Sequence, residues 1–194
     1  MNAPPIPEPV PSRRRVLPVL VLSAIVLLPA LLVVFVRHSF MADPLPAGAT
    51  VPDVTLLTME GKPLRSGELF QQRTILLFFS TTCSHCRIVL QSLRTLSVNS
   101  AAPLPVIAVS GESAEAVRAV QEEMHLPFRL LLDPLHRARD AFRVRMLPTM
   151  FFIDSGGTLR RMVTGEVSEE RLEKVLIEVF GPFGPEASRR TMKQ

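Results

Sequence analysis

The chain of 194 residues has no tryptophan, no tyrosine and only two cysteines. Two cysteines exclude a disulfide-stapled secreted scaffold and any four-cysteine metal site. An excess of one charge is missing from the body as well. The formal net charge is +4, but Arg13, Arg14 and Arg15 at one end and Arg189, Arg190 and Lys193 at the other account for it. Residues 44–181 hold 15 basic and 15 acidic side chains. A nucleic-acid-binding domain would show a basic face of its own, so that class is set aside. No internal repeat is present.

What the sequence does have begins with proline: six of the first 18 residues. That composition suits a polyproline-like tail rather than a packed element. Val16 to Val36 then runs for 21 residues without a charge. A helix of that length spans roughly 30 Å, the hydrocarbon thickness of a bilayer. A cleaved signal peptide would have a shorter apolar region and a small-x-small site after it. Arg37 to Ala42 offers no such site. The run therefore reads as a signal anchor, with the three preceding arginines keeping the N-terminus in the cytoplasm. The expected organisation is a Pro/Arg tail over 1–15, a transmembrane helix over 16–36, a linker over 37–45, one domain over 46–181 and a solvated tail over 182–194. In a bacterium this places the domain in the periplasm or outside the cell, where a disulfide persists.

The body alternates between two periodicities. Thr74 to Phe79 is an uninterrupted apolar run, as expected of a strand buried on both faces. Pro105 to Val109 and Leu130 to Leu132 read the same way, and Val54 to Met59 reads as an earlier strand before a turn at Glu60-Gly61-Lys62-Pro63. Cys86, Val89, Leu90, Leu93 and Leu96 recur at helical spacing. Ser113 can cap a second helix, and Leu135 to Phe142 is helical. Thr149–Ile153 and Leu159–Val163 flank Asp154-Ser155-Gly156-Gly157, a hairpin signal. A last helix starts after Ser168 and stops at Gly181-Pro182. Strands alternating with helices predict an α/β sheet with helices on both faces.

Cys83-Ser84-His85-Cys86 falls between a buried strand and a helix. Free N–H groups and the helix dipole at that terminus stabilise a thiolate, which is the nucleophilic form. Cys86, one turn later, is close enough to close a disulfide and is shielded by the helix. Cys83 would attack a partner's disulfide, and Cys86 would resolve the mixed disulfide. Run backwards, the pair donates a disulfide. Zinc would need four ligands, and His38, His125 and His136 are scattered. Copper carriage by the two thiolates is a further alternative. No cofactor beyond the Cys83–Cys86 couple is expected.

The stretch Phe78-Phe79-Ser80-Thr81-Thr82-Cys83-Ser84-His85-Cys86 resembles the active-site segment of the thioredoxin fold. Val51-Pro52-Asp53-Val54-Thr55-Leu56 and Gly61-Lys62-Pro63-Leu64 resemble the opening of membrane-anchored TlpA/ResA-type thiol–disulfide oxidoreductases. Arg145 to Asp154 is similar to their cis-proline strand. The resemblance covers about residues 46–180 and implies a thioredoxin fold with an extra strand–helix unit between Cys83 and Pro148. It further implies that Pro148 is cis against the disulfide and that Leu147 offers backbone groups to a client peptide. The expected clients are protein cysteines, with a membrane thiol reductant or oxidant as second partner, in cytochrome c maturation or a related envelope pathway. A factor similar to MauD, promoting disulfide formation in one client enzyme, is the alternative.

Three residues depart from the pattern or add to it. The position before Cys83 is Thr82 where most of the family has tryptophan. Leu77 stands where many thioredoxins keep a buried acid, leaving the proton acceptor for Cys86 unassigned. His85 resembles the histidine of strongly oxidising DsbA-type proteins and can stabilise the Cys83 thiolate. A peroxiredoxin-like peroxidase would want P-x-x-x-T-x-x-C, and the Phe78-Phe79 stretch supplies no such proline. Arg137, Arg139, Arg143 and Arg145 read as a solvated basic face near Pro148.

Overall fold

The computed structural model describes residues 13–40, 43–100 and 104–181, with side chains from residue 21 onward except 22 and 36–40. Residues 1–12 and the C-terminal tail from 182 fall outside the described residues, while residues 13–15 and 37–40, expected as tail and linker, belong to a helix. The chain divides into two compact units after Asp43. The first contains α1, Arg13–Phe40, whose described apolar side chains from Val21 to Phe35 are all exposed. Among the described residues no helix is long and apolar enough to cross a membrane.

The second unit is built on seven strands, in chain order β1 Thr55–Leu57, β2 Pro63–Arg65, β3 Thr74–Phe79, β4 Val106–Ser110, β5 Arg129–Leu132, β6 Thr149–Ile153 and β7 Leu159–Thr164. Four helices accompany them: α2 Ser84–Asn99, α3 Ala114–Met124, α4 Arg137–Ala141 and α5 Glu169–Phe180. The spatial order is β2-β1-β5-β4-β3-β6-β7. β3, β4 and β5 are parallel neighbours, while β6 and β7 form an antiparallel hairpin on β3.

The apolar run of β3 is central, and all six of its residues are buried. Ile75, Leu77 and Phe79 face one core with α2, α3 and α5; Leu76 and Phe78 face the other with Ala138 of α4 and Phe142 just beyond it. Period-two alternation thus serves two cores at once. Phe78, Phe142 and Phe151 pack with ring centroids 5.1 to 5.9 Å apart. Two strand–helix units, β4–α3 and β5–α4, lie between α2 and the final hairpin.

The segment read as a turn over 60–63 differs in one respect. Pro63 opens β2 and pairs with Leu57. β2 is an edge strand, where a residue lacking an N–H costs no ladder bond.

Candidate functional site

Four chain segments converge at one end of the sheet, and the registers dictate which residues they carry. Phe79 of β3 stands beside Ser110 of the parallel β4, so residues 111–112 emerge next to 80–81. Phe78 pairs with Thr149, which sets Pro148 opposite Phe79. Thr149 pairs in turn with Thr164, bringing residues 165–166 to the same end.

Cys83 is the N-cap of α2, with extended backbone, φ −85° and ψ 115°. Its sulfur accepts a hydrogen bond from the Cys86 amide at 3.3 Å, the N-cap position in which a side chain satisfies an orphan helix N–H. Both cysteines are free thiols, Cys83 half-buried and Cys86 fully buried. Burial, then the hydrogen bond with Cys83, pushes the Cys86 thiol up to about 12, and the negative charge of Glu112 adds to this. One sulfur is therefore presented to solvent with a donor behind it, and the other is held as a neutral thiol beneath.

The Leu147–Pro148 peptide is cis. Pro148 is buried, Leu147 is half-buried against both cores, and Met146 is exposed. The Pro148 carbonyl accepts from the Gly165 amide at 2.8 Å, and the Thr149 hydroxyl donates to the Met146 carbonyl at 2.7 Å.

Two acidic residues here were missing from the sequence reading. Glu112 accepts hydrogen bonds from the Thr81 amide at 2.7 Å, the Ser80 hydroxyl at 2.7 Å and the Ser110 hydroxyl at 2.8 Å. Burial opposes its ionisation, but the three donors together hold the carboxyl below its ordinary range. Leu77, where an acid was sought, is fully buried in apolar surroundings. Glu166, after β7, places Oε2 2.6 Å from Nδ1 of His85. Parallel pairing of β3 with β4 was the available signal for Glu112; nothing in the sequence pointed to Glu166.

A cavity of about 260 Å³ is lined by Phe79, Ser80, Glu112, His136, Arg139 and Leu147. Gly111 makes room for the His136 ring: a Cβ there would fall 2.2 Å from Cε1 of His136. Of the four arginines expected as a solvated basic face, Arg139 reaches this wall, while Arg137, Arg143 and Arg145 are exposed. His125 caps α3 in the left-handed conformation, and His38 has no described side chain. Among the described residues no group of three His, Cys, Asp or Glu side chains is placed to hold a metal ion.

Residues 47–162 match the model of the AhpC/TSA family. The chain belongs to that family. It is 28% identical over 131 residues to the thiol-disulfide oxidoreductase ResA of Geobacillus kaustophilus, covering 66% of this chain and 75% of the relative. A thiol:disulfide interchange protein of the thioredoxin family from Chlorobium tepidum superposes with a TM-score of 0.57 at 21% identity, over 72% of this chain and all of the other. The peroxidoxin BcpB of Mycobacterium tuberculosis superposes with a TM-score of 0.60 at 22% identity, over 69% of this chain and 96% of the other. At these identities the superpositions speak for the fold. The thioredoxin-like α/β fold is as expected, and the protein is a thiol–disulfide oxidoreductase of the ResA type, with client protein cysteines as its partners. Of the peroxidase pattern P-x-x-x-T-x-x-C, the chain has Leu76 at the proline position and Ser80 at the threonine position.

Proposed function

We propose that the protein is a reductant of client disulfides, anchored through residues 16–36 with its catalytic unit on the periplasmic side of a bacterial inner membrane, and that it serves cytochrome c maturation or a related envelope pathway. The observation that carries the reading is the asymmetry of the two sulfurs: Cys83 half-exposed at the N-cap of α2, Cys86 buried and neutral below it. The anchor rests on the uncharged 21-residue run of the sequence.

The Cys83 thiolate attacks one sulfur of a client disulfide, forming a mixed disulfide and releasing the client's other thiolate. Glu112, whose charge acts on Cys86, takes the Cys86 proton directly or through one water. The resulting thiolate attacks Cys83 Sγ, closes the Cys83–Cys86 disulfide and expels the second client thiolate. Two electrons pass to the client. A membrane thiol reductant restores the dithiol. Leu147, before the cis peptide, offers backbone groups to the client chain beside Cys83. His85 can stabilise the Cys83 thiolate, and with it the reduced form, where its imidazole is free to reach the sulfur.

The same His85 favours the second reading, a MauD-like factor that forms a disulfide in its client, since stabilising the dithiol makes the couple more oxidising. Copper delivery would rest on the two thiolates with no third protein ligand among the described residues. The deciding experiment is catalysed reduction of insulin by dithiothreitol with the full chain in detergent. Acceleration that Cys83→Ala abolishes supports the reductant; one-to-one copper binding without such catalysis contradicts it.

A further inference from the structure

His85 lies between the cysteines, yet the hydrogen bond of its Nδ1 runs to another chain segment: Glu166 Oε2, 2.6 Å away and 81 residues on. The position of Glu166 is fixed on both sides. The preceding Gly165 donates to the Pro148 carbonyl at 2.8 Å, and the following Val167 is buried in the core. The carboxylate is thus held at the end of the sheet where Cys83 and Pro148 meet. An imidazole N–H engaged by a carboxylate is not available to a sulfur, and charge-assisted hydrogen bonds are about twice as strong as neutral ones.

We propose that Glu166 is a positioning residue for the redox couple: it holds the His85 imidazole off the Cys83 thiolate and so keeps the protein more reducing than its Cys-Ser-His-Cys sequence implies. This rests on the reading above that His85 can stabilise the Cys83 thiolate. It reconciles that histidine with a reductant's role. When Glu166 is removed, His85 Nδ1 is free for Cys83, the dithiol is favoured, and the couple becomes more oxidising. The two side chains are 66% and 42% exposed, and exposed ion pairs contribute little to folding, so variants at either position retain the fold.

The test is the equilibrium of the full chain in detergent with glutathione. Two glutathione thiols supply two electrons and two protons to the Cys83–Cys86 disulfide, giving the dithiol and one oxidised glutathione. The expected result is that Glu166→Ala moves this equilibrium toward the dithiol at least threefold, about 14 mV at 29.6 mV per tenfold. In a His85→Ala background the same change should have no effect. The proposal is overturned if Glu166→Ala leaves the equilibrium unchanged. It is equally overturned if the shift persists without His85, since the carboxylate would then act on Cys83 by charge alone. If His85→Ala moves the equilibrium equally with and without Glu166, the role of His85 stands and that of Glu166 falls. If His85→Ala has no effect in either background, the role of His85 itself is wrong.

Discussion

The Cys86 amide points at the Cys83 sulfur from 3.3 Å, while the Cys86 sulfur lies fully buried. A thiol raised from 9.0 to about 12 carries about a thousandfold less thiolate at neutral pH than an ordinary one. Iodoacetamide at pH 7 should therefore alkylate Cys83 alone in the native dithiol, checked by peptide mass spectrometry. Cys86→Ala should accumulate a mixed disulfide through Cys83. Equal labelling of both cysteines would contradict the assignment.

Glu112 is the carboxylate whose charge acts on Cys86, and in the proposed mechanism it takes the role that Leu77 cannot fill. General-base catalysis contributes about 10²–10⁴-fold. Glu112→Gln should slow resolution of the mixed disulfide by about 10²-fold in stopped-flow while leaving the initial attack by Cys83 within a few-fold. Slowing of attack instead of resolution would assign Glu112 to Cys83.

Burial of a neutral Cys86 also links stability to alkaline pH. Its folded pKa is raised, so its contribution is complete below the unfolded value of 9.0 and is lost as pH rises toward about 12. In that window the dithiol form should lose about 1.4 kcal/mol per pH unit relative to Cys86→Ala. Urea unfolding of both proteins at several pH values measures the difference. Parallel curves would mean that Cys86 ionises freely in the fold.

Gly111 lets the His136 ring pass over the backbone at the cavity rim. Gly111→Ala places a methyl against that ring, and overpacking of this kind costs about 1–3 kcal/mol. The expected outcome is a lower urea midpoint with an unchanged slope. An undiminished midpoint would show that His136 moves aside at no cost.

Much of this was legible in the sequence because apolar runs determine where strands lie. β3 and β6 match their expected bounds, since six and five consecutive buried residues leave no choice of face. The Ser113 side chain caps α3, and α5 begins just after Ser168, as expected. β2 was not legible, because three residues opened by a proline carry no periodicity. Cys83, Cys86, Leu147 and Pro148 stand out in the sequence because their motifs are local. Glu112 and Glu166 do not, because their partners Ser80 and His85 lie 32 and 81 residues away and only the strand order brings them together. The acid sought on β3 itself has its proposed counterpart in Glu112, just after the neighbouring β4.

The most direct test of the central claim is the reduction potential of the full chain in detergent, equilibrated against defined thiol buffers. A reductant whose histidine is engaged by Glu166 should lie near thioredoxin, at about −270 mV. A value near about −120 mV, that of a strong disulfide donor, would contradict the account and assign the protein to disulfide formation.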